Sequence, residues 1–221
     1  MKQTTLSFTS LILATIIAVL DISAVNLAIP TIAQDLGYRV EQTLWLSKAN
    51  LLACAVSILP ISAIGDVIGH RRILFIGLGV FALTSLGCVI ASELWILIGL
   101  RTVQGCAGAA IMCSTLVLLR EIYPASKLGM ALGLNALFVA VTTTSAPAIS
   151  GLILSTASWR WLFSIGPVLA VLAMAVGYLH LPEKHQSGSR FDWLGSILMT
   201  LMATLFLLCY VQMIRQPRWR A

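Results

Sequence analysis

Charge is scarce in this sequence. Of its 221 residues, 10% are Asp, Glu, Lys or Arg, while 59% are hydrophobic and the mean hydropathy is +0.96. Soluble domains carry roughly 25% charged residues, so this composition suits lipid rather than water as the solvent. Other absences narrow the chemistry. There is no Gly-rich phosphate loop, no GxSxG and no HExxH. His70, His180 and His185 have no Cys, Asp or Glu beside them at metal-ligand spacing, so no enzyme, metal or cofactor is expected. No basic patch is interleaved with aromatics, which argues against nucleic acid; the net charge of +6 instead fits basic cytoplasmic loops. The five cysteines, Cys54, Cys88, Cys106, Cys113 and Cys209, form no CxxC and lie in apolar runs, where Cys behaves as a small hydrophobe.

What is present is a series of long apolar runs. A helix crosses the hydrocarbon core in about 20 residues, and seven candidate spans follow: 6–30, 42–65, 73–92, 94–119, 129–157, 161–182 and 193–214. Lys2 and the first run superficially resemble a signal peptide, but the run is long for one and more spans follow. The fifth span is long enough to tilt or kink, and Pro147 offers the site. With a cytoplasmic N-terminus, Lys2, Arg71, Arg72, Arg120, Lys127, Lys184 and Arg190 fall in inner loops, against Arg39 and Arg160 outside. Arg215, Arg218 and Arg220 of the tail break this pattern. The polar stretch 182–192, PEKHQSGSRFD, separates a six-helix unit, 1–181, from the seventh helix and tail, 193–221. The fold class is therefore all-α and integral to the membrane, a multi-pass bundle. The spacings Gly65/Gly69 and Gly129/Gly133 are expected to let helix backbones approach closely.

Three charges sit away from the span ends: Asp21, Lys48 and Arg101. Each costs roughly 2.5–3.5 kcal/mol at a helix centre, so such residues face a bundle interior and pair. Counting from the outer ends of their spans, with Pro30 ending the first, they lie about 14, 9 and 11 Å deep, close enough to share one layer. Two readings of Asp21 stay open. It forms an ion pair with Arg101 or Lys48 that only fixes register, or it takes and releases a proton or binds a cationic substrate. Lys48, near the edge, reads best as snorkelling. Arg101, Gln104, Gly105 and Gly108 share one helix face. Between the second and third spans, SAIGDVIGHRR holds Asp66, which can cap or pair with a helix terminus. Gly69 there permits a tight turn, and Arg71 and Arg72 can pair with carboxylates or lipid headgroups.

These stretches resemble the major facilitator superfamily. GDVIGHRR is similar to the loop signature GxLaDrxGrkxxl, with Asp66, Gly69 and Arg71 matching and Ser62, Val67 and His70 departing. RTVQGCAGAA resembles RxxQGxgaA of the fourth helix through Arg101, Gln104 and Gly105. TTTSAPAISG resembles the antiporter signature gxxxGPxxGG, keeping Pro147 and Gly151 but placing Thr142, Ala146 and Ser150 where Gly is usual. LDISAVNLAIP, SWRWLF and FDWLG resemble the 14-helix drug:proton antiporters.

The resemblance implies a six-helix N-terminal bundle plus a seventh helix. It implies a bacterial inner-membrane exporter of lipophilic cations, such as quaternary ammonium compounds, in exchange for protons. Asp21 would couple protons or bind the cation, and Arg101 would tune it. Asp66, Gly69, Arg71 and Arg72 would belong to the inner gate, while Pro147 and Gly151 would shape helix 5. A 14-helix transporter needs about twice this length, so the expected partners, besides lipid, cation and protons, are a C-terminal half or a second copy. The alternative is a non-transporting membrane protein that binds or regulates a full-length relative.

Overall fold

The computed structural model describes residues 2–181; the polar stretch 182–192, the expected seventh helix with its FDWLG start, and the tail lie outside the described residues. The elements are α1 (Lys2–Leu36), α2 (Val40–Thr43), α3 (Trp45–Ile68), α4 (His70–Ile90), α5 (Leu94–Ile122), α6 (Ala125–Thr156) and α7 (Arg160–His180). Except for the one-turn α2, each is long and apolar enough to cross a membrane. Lipid offers backbone groups no hydrogen bonds, so apolar runs of this length pair their N–H and C=O groups within themselves as helices. The chain is a multi-pass, all-α membrane bundle.

Two boundaries differ from the sequence expectation. The first helix does not end at Pro30 but continues to Leu36. Ile29, Ile32 and Ala33 are buried on one face, and that packing outweighs the one backbone hydrogen bond a proline removes. The depth count that used Pro30 as the outer end therefore does not hold. Between α3 and α4 there is no loop. Residues 62–68 are the last turns of α3, and the break is Gly69 alone, at φ 99°. That conformation is open to glycine and strained for other residues, so one residue reverses the chain.

The glycine pairs also behave differently from expectation. Among the described residues, a side chain at Gly129 or Gly133 would meet open space, so neither mediates a helix contact there. Gly65 makes room for the His70 ring, whose atoms lie 2.6–3.2 Å from where its Cβ would be. The close helix contact is instead at Gly105, where a Cβ would collide with the Asn50 carbonyl oxygen and sit 2.9 Å from the Ala53 Cβ.

In the bundle, α5 packs against α3 and α4, α7 against α1 and α4, and α6 against α1. The spans of α3 and α6 are the least buried. Buried apolar side chains form two clusters. One, toward the N-terminal end of α1, holds Leu11, Ile17, Leu78, Phe81, Ala107 and Ala170. The other, toward the opposite end, holds Ala24, Ile32, Cys88, Leu97, Trp159 and Phe163. On α1 the seam between them falls at Asp21, on α4 at Ser85, and on α5 at Arg101 and Gln104.

Candidate functional site: a buried polar layer between two apolar clusters

Asp21 and Arg101 meet at that seam. Arg101 Nη1 donates to Asp21 Oδ2 at 2.6 Å, with the arginine side chain 1% and the aspartate 11% exposed. The same Nη1 donates to Gln104 Oε1, also at 2.6 Å. Gln104 Nε2 donates to Ser85 Oγ at 2.7 Å and lies 3.5 Å from Asp21 Oδ1. The Arg101 guanidinium stands 5.8 Å from the centroid of Phe163 on α7, a cation–π distance. Its Nε has no hydrogen-bond partner. Asn50 Nδ2 donates to the Arg101 carbonyl at 3.2 Å, next to the Gly105 contact. One charge pair thus draws on α1, α3, α4, α5 and α7.

The expected face of α5 is present: Arg101, Gln104 and Gly105 are buried together. Gly108 is half-buried and, with Asp21, Asn50, Cys54 and Gln104, lines a recess of about 10 Å³, the room of roughly one water molecule. Lys48 does not join the layer. It is exposed, with Nζ 5.7 Å from the Trp45 ring centroid, because α3 begins only at Trp45 and leaves Lys48 in its first turn.

The other motif residues lie elsewhere. Asp66 Oδ1 and His70 Nε2 are 2.9 Å apart, an i,i+4 pair in which His70 is buried and Asp66 half-exposed. That corrects the expectation that no acidic residue accompanies this histidine, for the sharp break at Gly69 between α3 and α4 still brings the pair together. Arg71 Nη2 donates to the Tyr178 carbonyl at 2.8 Å, with its guanidinium 5.6 Å from the Phe75 ring and 5.8 Å from the Tyr178 ring. Arg72 is exposed. Pro147 lies within α6 on its exposed side, and the Gly151 Cβ position is 4.0 Å from Leu27 Cδ2. The buried face of α6 is made by Ala131, Thr142, Ala146 and Ser150, and α6 packs mainly on α1.

Several residues of the site were not singled out in the sequence. Ser85 is an ordinary member of an apolar run, and Phe163 ends the SWRWLF stretch without a role assigned to it; only their place at the seam marks them. Asp35 was also passed over. Trp159 Nε1 donates to its Oδ2 at 2.8 Å and Arg160 Nη1 at 3.1 Å, with the Arg160 guanidinium 4.3 Å from the Trp159 ring centroid. Here SWRWLF fastens the start of α7 to the end of α1. Among the described residues no group of three His, Cys, Asp or Glu is placed to hold a metal. The described cysteines are free; Ser57 Oγ donates to Cys106 Sγ at 3.1 Å.

Comparison with known proteins agrees with this architecture. The chain is 40% identical over 186 residues to the uncharacterized transporter YebQ of Escherichia coli (strain K12), covering 83% of this chain and 41% of that protein. It is 32% identical over 202 residues to the tetracenomycin C resistance and export protein of Streptomyces glaucescens, covering 90% of this chain and 37% of that one. The chain thus spans less than half the length of these curated relatives, which are named as transporters rather than enzymes. The structure of the proton:xylose symporter XylE superposes with a TM-score of 0.73 at 13% identity, covering 94% of this chain and 52% of that chain, a likeness of fold. The family model described as Major Facilitator Superfamily matches residues 11–216. The chain belongs to the Major Facilitator Superfamily.

Proposed function

We propose that this chain forms the N-terminal bundle of a proton-coupled exporter of lipophilic cations, with Asp21 as the group that exchanges a proton for the cargo. The observation that carries the reading is the second partner that Arg101 Nη1 has beside Asp21. Its Nη1 reaches Asp21 and Gln104 at equal distance, 2.6 Å. Nη1 carries two N–H groups, and these bonds give each its own acceptor. With Gln104 in place, Asp21 can take a proton while Arg101 keeps a hydrogen-bonded partner, which removes much of the cost of stranding a buried guanidinium. The recess beside the carboxylate has room for about one water molecule.

The other wall of the transport cavity would come from a second six-helix unit facing the exposed spans of α3 and α6, since alternating access needs two units moving about a shared site. Asp66, Gly69, Arg71 and Arg72 would form the inner gate, Pro147 and Gly151 would shape the helix facing the second unit, and the N-terminus would be cytoplasmic in a bacterial inner membrane. The export named for the Streptomyces glaucescens relative supports the outward direction.

The test is ethidium efflux from cells expressing the chain together with a second six-helix unit, with and without a dissipated proton gradient. Asp21→Asn should abolish proton-driven efflux and leave membrane insertion intact. Equal efflux by the variant contradicts the reading. Absence of flux from the wild type, together with co-purification of a full-length relative, would favour a non-transporting binding partner instead.

A further inference from the structure

We propose that Ser85 of α4 is a positioning residue that holds the Gln104 amide away from Asp21, and so keeps the carboxylate free to take a proton. The inference rests on the reading of Asp21 as the proton carrier.

The amide of Gln104 has two ends with different tasks. Its oxygen must face Arg101, because an NH2 group there would oppose a guanidinium that can only donate. Its nitrogen then points away, toward two available acceptors: Ser85 Oγ at 2.7 Å and Asp21 Oδ1 at 3.5 Å. Ser85 holds the shorter bond. Both side chains are fully buried, and the adjoining recess has room for one water molecule at most, so the serine hydroxyl is the nearest acceptor for the amide. The serine is itself confined: Phe81 lies one turn before it on α4, and a Cβ at Gly166 of α7 would come 3.3 Å from its Oγ. A hydroxyl so fixed acts as a stop for the amide.

Without that stop the nearest remaining acceptor is the carboxylate. Gln104 Nε2 would close on Asp21 Oδ1, and the turning amide would draw Oε1 off Arg101, which would then bear on Asp21 alone. Both changes favour the ionised carboxylate, because each adds or strengthens a donor to its charged form. The other groups around Asp21 do not compete for this role. The titratable neighbours are Arg101 of α5, Cys88 of α4 and Cys54 of α3. Lys48 and Asp66 of α3, Lys127 of α6, and Arg160 and His180 of α7 stand near the ends of their helices.

The experiment is a pH titration of the purified full chain in detergent by infrared difference spectroscopy, following the protonated-carboxyl stretch that Asp21→Asn removes. Ser85→Ala should move the midpoint of that band toward acid by about one pH unit, the size of one added hydrogen bond to a charged group. In a Gln104→Met background, Ser85→Ala should leave the midpoint where Gln104→Met alone puts it. Equal midpoints for wild type and Ser85→Ala would overturn the inference while leaving Asp21 a proton carrier. So would the same shift in both backgrounds, since Ser85 would then act by another route. A wild type with no titrating Asp21 band would overturn the proton-carrier reading and this inference with it.

Discussion

Asp35 and Trp159 are 124 residues apart in the chain and joined by a 2.8 Å hydrogen bond from the indole Nε1 to Oδ2. Arg160 adds a second donor to the same oxygen and also reaches the Ala91 carbonyl at 3.5 Å. Three segments thereby close on one another at the end of the bundle opposite the N-terminus: the last turn of α1, the turn between α4 and α5, and the start of α7. Trp159 is buried, while Asp35 and Arg160 are part-exposed. The indole bond is therefore the protected part of the cluster, and the ion pair is the screened part.

Trp159→Phe keeps a buried ring and removes only the donor. It should cost about 1 kcal/mol of stability, read as a lowered unfolding midpoint in detergent. Arg160→Gln should cost less, because its ion pair is open to solvent. The reverse order would mean that charge, not the indole bond, holds this end.

Gly105→Ala should destabilise by about 1–3 kcal/mol, since the added methyl overlaps the Asn50 carbonyl and must drive α3 from α5. Gly129→Ala meets open space and should be neutral or stabilising by up to about 1 kcal/mol through helix propensity. Thermal unfolding of the two single variants is the check. Equal effects would contradict the assignment of Gly105, and not Gly129, to the helix crossing.

Arg101→Met leaves Asp21 without its cation and should cost about 3 kcal/mol or more. Adding Asp21→Asn removes the stranded charge, so the double variant should be more stable than Arg101→Met alone. A double-mutant cycle measures the coupling. Strict additivity would mean that the two residues do not act as a pair.

The sequence carried the number and order of the membrane helices within residues 2–181, because lipid leaves an apolar run of 20 residues few alternatives to a helix. It also carried the pairing of Asp21 with a cation, since isolated charges in apolar spans must find each other. It left Arg101 and Lys48 both open as the partner, and only the start of α3 at Trp45 removes Lys48. What it hid depended on packing between distant segments. Pro30 looked like an end because a proline breaks isolated helices, yet beyond it Ile32 is buried in the second apolar cluster and Ala33 is buried as well. Gly129 and Gly133 had the spacing of a helix contact, but among the described residues no neighbouring atom lies within 4 Å of where their side chains would be. Ser85 was illegible because one serine in an apolar run has no periodicity. Only the folded bundle places it opposite Gln104.

The most direct test of Asp21 as the exchanging group is proton release on cation binding. Tetraphenylphosphonium would be added to the purified full chain in weakly buffered detergent, with pH followed by an indicator dye. The account predicts that binding releases protons from the wild type and that Asp21→Asn, still folded, releases none. Binding without release, or equal release by Asp21→Asn, would contradict it.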